Sequence, residues 1–435
     1  MRWRNWGRTQ SCHPVALKRP RTEEEIRSIV AGAVRRGRTV KVRGAGHSFT
    51  DIACTDGVMV SLDRYNRVLD VDKEAGTVTV EAGISIKQLN RRLAEVGLAM
   101  SNLGDIAYQS IAGAISTATH GTGINFGNLG TFVTHLTLVC ADGSTLRCSP
   151  EADERLFRAA QVSLGALGVI STVTLRCEPA FNLHAREEGA ELDDVLGALD
   201  EHIAENEHFE FFWFPHSSVV HMKRNNRTDR DPTPRRPWKA FRSEIIMSNV
   251  AFGLVSRYGR ARPDKIPSLM RDVVASGIGR MQKVDRSDHI YASPRLVRFS
   301  EMEYAIPREN ARDAIEKLRA MIDERDFKVN FPVEVRFVAG DDITLSPAHG
   351  RQTCYIAVHL YRGMDYRPYF GAVEEIMMSF DGRPHWGKLH FRDAASLAGA
   401  YPGWRDFMDV RDKLDPTGLF RNGYLDRVLG PPGGS

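Results

Sequence analysis

A glycine turn that presents a histidine is the feature that most constrains this 435-residue chain. The turn, RGAGHSF at residues 43–49, follows a short predicted strand. Gly44 and Gly46 permit a positive φ and leave backbone N–H groups facing a concave site for an anion such as a pyrophosphate, with Arg43 at its rim. A loop histidine more often has no ligand, but the position of His47 beside an anion site favours a role in holding a cofactor.

Two tracts of small residues point in the same direction. They are SIAGAISTATHGTGINFGNLG at residues 110–130 and SLGALGVI at residues 163–170. Small side chains allow the backbone to approach a flat ligand closely, and they equally allow tight helix packing. Composition alone leaves both explanations open.

The sequence lacks the usual signatures of several enzyme classes. It has no GxGxxG in a strand-to-helix context, no Walker loop, no HExxH helix and no GxSxG elbow. A phosphotransferase, a zinc protease and a serine hydrolase are therefore disfavoured. The six cysteines are scattered without a CxxC pair, so we expect reduced thiols and no metal site.

Length and charge bound the organisation and the partners. The chain is two to three times the usual domain length, which favours two domains with a ligand site between them. The net charge of +4 is a small difference between 59 basic and 55 acidic residues, so no nucleic-acid partner is expected. The N-terminus lacks an apolar signal core and no apolar stretch has the length of a membrane span, which predicts a cytoplasmic protein.

Periodicity predicts alternating helices and strands in the first part of the chain, and a mixed sheet with helices on one face beyond residue 179. Thr22 is a predicted N-cap, Asp142-Gly143 a predicted hairpin turn, and residues 224–241 a predicted surface loop or linker. The predicted helices are 22–36, 85–95, 307–323 and 369–378, and the predicted strands 58–62, 68–71, 77–80, 136–140, 145–148, 172–176 and 209–214.

Three charged residues late in the chain have two possible explanations. Glu334 and Arg336 lie two apart in the strand pattern PVEVRF, so both side chains point to one face. That face is either a solvent-exposed ion stripe or part of a site. Lys388 follows RPHWG and is either a surface lysine or a group that acts on a substrate.

Five motifs, taken in order, resemble those of the FAD-linked oxidoreductases of the vanillyl-alcohol oxidase type, in the branch of the aldonolactone and alditol oxidases. They are GAGHSFTDIA (44–53), SIAGAISTATHGTG (110–123), VSLGALGVISTVTL (162–175), EVRF (334–337) and RPHWGK (383–388). The resemblance covers essentially the whole chain, and NW near the start, HFEFFWFP, MEYAIPREN and CYIAVH are most similar to members that act on L-gulono-1,4-lactone.

The resemblance implies an α+β fold. A two-lobed FAD-binding domain of the vanillyl-alcohol oxidase type (PCMH type) is expected at residues 1–178. An α+β cap domain with a mixed or antiparallel sheet is expected at residues 179–410. Residues 411–435 are expected to return to the FAD-binding domain.

The resemblance also assigns the cofactor and its contacts. The histidine of the GHS motif bonds the 8α-methyl of the flavin in this branch, so His47 is the expected covalent attachment site of FAD. The full set of expected FAD contacts is Arg43, Gly44, Ala45, Gly46, His47, Ser48, Ser110, Ala112, Gly113, Ser116, Thr119, His120, Gly121, Gly168, Ile170 and His385.

The expected reaction is oxidation of a sugar-derived alcohol, either an aldonolactone such as L-gulono-1,4-lactone at C2 or, as the alternative, an alditol. Glu334 would bind substrate hydroxyls and Arg336 would stabilise negative charge on the flavin. Lys388 would activate the substrate oxygen, through a pKa lowered by burial or through its positive charge, with Glu334 as the rival for that role. Ser110 would also contact substrate, and dioxygen or another acceptor would reoxidise the flavin.

Overall fold

The computed structural model describes residues 2–234, 252–274, 277–292 and 297–433. The strands are β1 (Trp3–Arg4), β2 (Ser11–Cys12), β3 (Ala16–Lys18), β4 (Val40–Arg43), β5 (Val58–Ser61), β6 (Val68–Asp72), β7 (Thr77–Glu81), β8 (Leu98–Ala99), β9 (Val133–Val139), β10 (Thr145–Cys148), β11 (Val169–Arg176), β12 (Glu178–Pro179), β13 (Asn182–Glu191), β14 (His208–Trp213), β15 (Val219–Thr228), β16 (Met281–Arg286), β17 (Phe299–Pro307), β18 (Val333–Val338), β19 (Thr353–Tyr361) and β20 (Arg383–Pro384). The α-helices span Glu23–Val34, Ile86–Glu95, Ile111–Ser116, Glu154–Gln161, Leu192–Gly197, Leu199–Glu205, Phe252–Ala261, Ile266–Leu269, Ser287–Tyr291, Ala311–Glu324, Arg367–Met378, Ala394–Ala398, Trp404–Leu414 and Gly423–Leu429.

Two sheets build the first part of the chain. The strands β3, β5 and β4 form a parallel sheet, and the strands β10, β9, β11, β7 and β6 form an antiparallel one. The helix Glu23–Val34 begins where the Thr22 side chain accepts a hydrogen bond from the Glu25 N–H, as predicted. Its apolar positions Ile26 and Val30 are buried in the shared core, so burial of one face holds the helix in place.

An eight-stranded sheet builds the second part, in the order β16-β13-β15-β14-β18-β19-β17-β20. The apolar residues of β18 and β19 pack into a core with the helices Ala311–Glu324 and Arg367–Met378. The other face of these strands carries polar residues and lies toward the first part of the chain. The helices and largely antiparallel sheets confirm the predicted α+β fold class.

The C-terminal helices pack into the first core, with Phe407, Leu425 and Val428 among its buried residues. Between them, the Asn422 amide donates hydrogen bonds to the carbonyls of three residues of the loop after the glycine turn, Asp51, Ile52 and Cys54. The domain boundaries at residues 178 and 410 stay a prediction.

The prediction of a loop at residues 224–241 is wrong for residues 224–228. The strand β15 continues to Thr228, because its polar end completes a ladder with β13, where Thr228 is the register partner of Asn182. Arg227 in this segment pairs with Glu178 and Glu207, which compensates for the lack of apolar side chains. Residues 235–241 of the predicted loop lie outside the described residues.

The cysteines and the lengths of the helices were also subjects of the sequence predictions. All six cysteines are free, and five of them are buried. Within the described ranges, none of the helices has both the length and the apolar character needed to span a bilayer.

Candidate active site

The glycine turn follows β4 and requires glycine at two positions. A Cβ at Gly44 would lie 2.5 Å from the Ser110 hydroxyl, and Gly46 has a φ of +78°. Arg43 lies beside the turn, and its buried Nε has no hydrogen-bond partner among the described residues. A buried donor at the rim of a concave turn fits an anionic ligand, because a buried N–H left without an acceptor is costly.

A cavity of about 320 Å³ extends from this turn. Most of the residues expected to bind FAD line it: Arg43, Gly44, Ala45, Gly46, His47, Ser48, Ser110, Ala112, Gly113, Ser116, Gly168 and Ile170. Residues of both small-residue tracts therefore line the cavity, and residues 111–116 form a helix. The expected contacts Thr119, His120, Gly121 and His385 do not line this cavity.

Lys41 is a wall residue that the sequence analysis missed. Its fully buried amine donates hydrogen bonds to the carbonyls of Gly165 at 3.3 Å and Phe420 at 3.1 Å, with Leu164 at 3.5 Å. Burial, followed by the charge of Arg411, lowers the pKa of Lys41 to about 7. The alternating pattern VKVR indicates only that Lys41 and Arg43 share a side of β4, not that this side is enclosed.

A second, smaller cavity of about 60 Å³ shares His47, Ser48, Gln109 and Thr117 with the first. His385 and Lys388 also line it, so the structure brings His47 and Lys388 to one chamber. Burial, and then the charge of Lys388, lowers the pKa of His47 to about 4. The imidazole of His47 is therefore neutral at pH 7 and has a lone pair available for bond formation.

Lys388 is held between two buried carboxylates. Its Nζ pairs with Glu301, and the Glu303 carboxylate lies 3.9 Å away. Burial opposes the charged amine, but Glu301 and Glu303 outweigh burial and raise the pKa of Lys388 above its usual value. A pKa lowered by burial, one of the two options in the sequence analysis, is wrong because these carboxylates stabilise the ammonium form.

Glu301 and Glu303 are site residues that the sequence analysis missed. They alternate along β17 with Met302 and Tyr304, which are fully buried in the core beneath the sheet. The signal was present in the pattern SEMEYAIP, but acidic residues at alternate positions are more typical of a solvent-facing edge. Burial opposes ionisation of Glu301, yet Lys388 and His359 hold its pKa at about 2.

Each of these glutamates also faces a histidine. His359 contacts the Pro332 carbonyl through Nδ1 at 2.9 Å and Glu301 through Nε2 at 3.4 Å. His120 contacts the Gly121 carbonyl through Nδ1 at 2.8 Å and Glu303 through Nε2 at 3.2 Å. A carbonyl only accepts, so each Nδ1 donates its hydrogen to the backbone and each Nε2 faces a carboxylate.

The expected FAD contact His120 has contacts within the protein. Besides its pair with Glu303, its ring stacks on Tyr355 with a centroid distance of 3.7 Å. His120, Glu303 and His385 are buried close enough together to be a candidate metal-ligand group. Since Nε2 of His120 already faces the Glu303 carboxylate, the contacts among these residues account for the arrangement without an ion.

Glu334 and Arg336 form a buried ion cluster, so a solvent-facing stripe is wrong. They are 7% and 9% exposed, because β18 lies inside the eight-stranded sheet and its polar face is covered. Arg336 pairs with Glu334, with Glu210 at 2.7 Å and with Asp105 at 2.9 Å. Burial opposes the charge of Arg336, but the three carboxylates raise its pKa well above its usual value.

The sheet register relates the ion cluster to the lysine. Glu334 of β18 is the register partner of Ala357 of β19, which is the register partner of Glu303 of β17. Direct register partners share one face of a sheet, and the small Ala357 lies between the two carboxylates. The charge of Glu334 also contributes to the raised pKa of Lys388. Arg336 lines a separate cavity of about 30 Å³ together with Gly121.

A glycine cradle for an anion, a cavity walled by small residues and an adjoining chamber with an imidazole and an ammonium define an oxidoreductase that holds a flavin dinucleotide. The sequence profile of an FAD-binding domain matches residues 14–149. A cholesterol oxidase from B. sterolicum has a similar fold, with a TM-score of 0.82 over 99% of this chain and 96% of that chain. Because the two sequences are only 17% identical, this similarity shows the fold alone.

The profile of the D-arabinono-1,4-lactone oxidase family matches residues 173–428, and the chain belongs to this family. It is 47% identical to an L-gulono-1,4-lactone dehydrogenase of Mycobacterium tuberculosis, over 99% of both chains. It is 39% identical to the L-gulonolactone oxidase of Mus musculus, over 99% of this chain and 98% of the relative. An alditol oxidase of a Streptomyces species is 33% identical over 98% of both chains.

Proposed function

We propose that this protein is an FAD-dependent oxidoreductase that oxidises L-gulono-1,4-lactone, or a related aldonolactone, at C2 to an ascorbate-type product. The observation that carries the proposal is the end-to-end identity of 47% with an L-gulono-1,4-lactone dehydrogenase, against 33% with an alditol oxidase. The free cysteines support the cytoplasmic location that the sequence predicts.

The cavity beside the glycine turn is proposed to hold FAD, with the turn and Arg43 at the pyrophosphate and His47 bonded to the 8α-methyl. Attachment replaces the imidazole N–H and a methyl C–H by one C–N bond. The two protons would leave, and the electron pair would pass to dioxygen, as hydrogen peroxide, or to another two-electron acceptor. Neutral His47 is suited to this bond, because an imidazolium has no free lone pair.

Bound FAD supplies a hydride acceptor at N5. Lys388, as an ammonium, is proposed to bind the reacting hydroxyl oxygen and stabilise the negative charge that develops there. A protonated amine has no lone pair, so the proton of the hydroxyl is proposed to pass to the Glu334 carboxylate, which binds the same hydroxyl. Arg336 supplies a fixed positive charge for the negative charge that arrives with the hydride.

Ser110 is proposed to donate a hydrogen bond to FAD or to the substrate. Its Oγ accepts a hydrogen bond from the Gly113 N–H as the cap of the helix Ile111–Ser116. The hydroxyl hydrogen therefore remains available to donate into the cavity, where Ser110 faces Gly44. Thus one residue holds the helix end and offers a donor to cofactor or substrate.

An alditol oxidase is the second candidate, because the 33% identity to such an enzyme also extends over 98% of both chains. The same lysine, glutamate and arginine would serve an open-chain polyol. A substrate panel separates the two: L-gulono-1,4-lactone and xylitol, each with dioxygen and with an artificial electron acceptor.

We expect kcat/KM for the lactone to exceed that for xylitol by at least about 100-fold, since a site that hydrogen-bonds one arrangement of hydroxyls discriminates strongly. Hydrogen peroxide release identifies dioxygen as acceptor. Lys388→Met should abolish turnover, whereas the matched change Lys317→Met on the helix Ala311–Glu324 should not. A preference for xylitol would establish the second candidate, and turnover of neither substrate would reject both.

A further inference from the structure

The N-terminal hairpin, residues 3–12, is packed against the glycine turn. Its strands β1 and β2 pair antiparallel, with Trp3 opposite Cys12. The residues between these strands contact the backbone of the turn that presents His47. No step of the proposed reaction uses them.

Three hydrogen bonds join the hairpin to the turn. The Trp6 N–H donates to the Gly46 carbonyl at 2.7 Å. The Asn5 amide donates to the Ser48 carbonyl at 2.9 Å, and the Thr9 hydroxyl donates to the Phe49 carbonyl at 2.8 Å. These carbonyls lie on both sides of His47, so the hairpin fixes the backbone from which the imidazole projects.

Aromatic contacts fix the imidazole itself. The Trp6 ring stacks on the His47 ring with centroids 5.6 Å apart and planes inclined by 30°. Trp6 is in turn held by edge contacts with Phe49 at 6.3 Å and Phe299 at 5.7 Å. Rotation of the His47 side chain away from the chamber is therefore limited by a ring that has little freedom to move.

We propose that Asn5, Trp6 and Thr9 are positioning residues for attachment of the flavin, and that they hold the His47 imidazole where it forms the covalent bond. This inference rests on the proposed attachment to His47. Bond formation needs the reacting atoms in near-attack geometry, and a displacement of about 1 Å lowers a rate by roughly 100-fold. The hairpin thus acts on the attachment step through the geometry of the turn.

The test measures total bound flavin and the fraction that stays with the acid-precipitated protein. Trp6→Ala removes the stacking ring, and Trp6→Phe keeps one. Asn5→Asp keeps the acceptor for the Gln10 N–H, 3.0 Å away, but places a carboxylate where the amide donates to Ser48. Arg2→Ala is the control, because within the described part of the chain the Arg2 side chain bonds that of Ser11 in the same hairpin, at 3.4 Å, and not the turn.

We expect wild type, Trp6→Phe and Arg2→Ala to retain their flavin after acid. Trp6→Ala and Asn5→Asp should stay folded and bind FAD but release at least half of it after acid, and attach added FAD at least about tenfold more slowly. If Trp6→Ala fails to fold, Asn5→Asp and Thr9→Val decide the question, because each removes one hydrogen bond to the turn as well as the bond from the Asn5 amide to the Thr9 hydroxyl.

Two results would overturn the inference. Attachment in Trp6→Ala and Asn5→Asp as fast as in wild type would show that the hairpin does not position His47. Loss of all flavin by variants that stay folded would show that the hairpin shapes the cavity for binding and not for bond formation. A wild-type protein that releases all its flavin would instead reject the attachment to His47 itself, and the positioning role with it.

Discussion

The charge of one lysine determines how the site activates a hydroxyl group. Lys388 lies in a buried chamber, which alone would favour a neutral amine, yet its ion pair with Glu301 keeps it charged. Its role in the proposed reaction is therefore electrostatic. This role depends on the carboxylate of Glu301, which contacts the lysine.

Replacing Glu301 by glutamine tests this dependence. Without the carboxylate, burial lowers the pKa of Lys388, so the alkaline limb of the pH profile of kcat/KM should move down by roughly 1 to 3 pH units. In the wild type this limb should lie above the usual lysine pKa, because the pKa of Lys388 is raised. The measurement is kcat/KM between pH 6 and pH 11 with an artificial acceptor.

The control is Glu309→Gln, which removes an exposed carboxylate just beyond the end of the same strand. It should leave the alkaline limb in place. An unchanged limb in Glu301→Gln would contradict the assignment of Glu301 as the group that holds Lys388 charged.

The sequence predicted individual site residues unevenly. The glycine turn, His47 and Lys388 were recognised because they stand in short motifs with a local meaning. Glu301 and Lys41 were not recognised as site residues. Each is a charged residue at an alternating strand position, a pattern typical of solvent exposure. Only the packing of distant segments makes these positions buried.

At the scale of elements, β18 shows how a strand presents an ion cluster to a buried face. Val333, Val335 and Phe337 pack into the apolar core. Because side chains alternate along a strand, those of Glu334 and Arg336 point to the opposite face of the sheet. The alternation was predicted correctly. The location of the polar face was left open, because the neighbouring strand β14 and Asp105, which pairs with Arg336 on this face, lie far away in sequence.

Arg336→Met should destabilise the fold. Arg336 is the cation shared by Asp105, Glu210 and Glu334, and removing one partner of a buried ion pair costs about 3 to 5 kcal/mol. The remaining carboxylates would then have raised pKa values in the folded state, so acidification should recover part of the lost stability. Urea unfolding at pH 8 and pH 5 measures both effects.

The matched control is Arg91→Met, which removes an arginine from the exposed pair with Glu95 on the helix Ile86–Glu95. It should change the unfolding midpoint little at either pH. Equal destabilisation by the two changes, or a loss in Arg336→Met that grows on acidification, would contradict the account of a buried cluster in which Arg336 stabilises three carboxylates.

At the scale of the whole molecule, the site is assembled from segments that lie far apart in sequence. The first cavity involves the glycine turn and the small-residue tracts, and Lys41 also reaches the carbonyl of Phe420 in the C-terminal segment. The second cavity joins His47 of the first part to Lys388 of the second. The resemblance of the motifs predicted this assembly, whereas periodicity predicted only the elements.

The elements themselves were largely predictable, since capping residues and alternation are local signals. Thr22 and Ser85 cap their helices, and the strands before and after Asp142-Gly143 form the expected hairpin. The end of β15 at Thr228 was not predictable, because its polar residues are held by pairing with β13 and by ion pairs of Arg227. Such long-range compensation leaves no trace in a local pattern.

The most direct test of the central claim is the mass of the tryptic peptide at residues 44–64, which contains His47 and no other histidine. The account predicts that this peptide carries the added mass of FAD, with fragment ions that locate the flavin on His47. An unmodified peptide with free FAD in the acid supernatant, or an adduct on another residue such as Cys54, would contradict it.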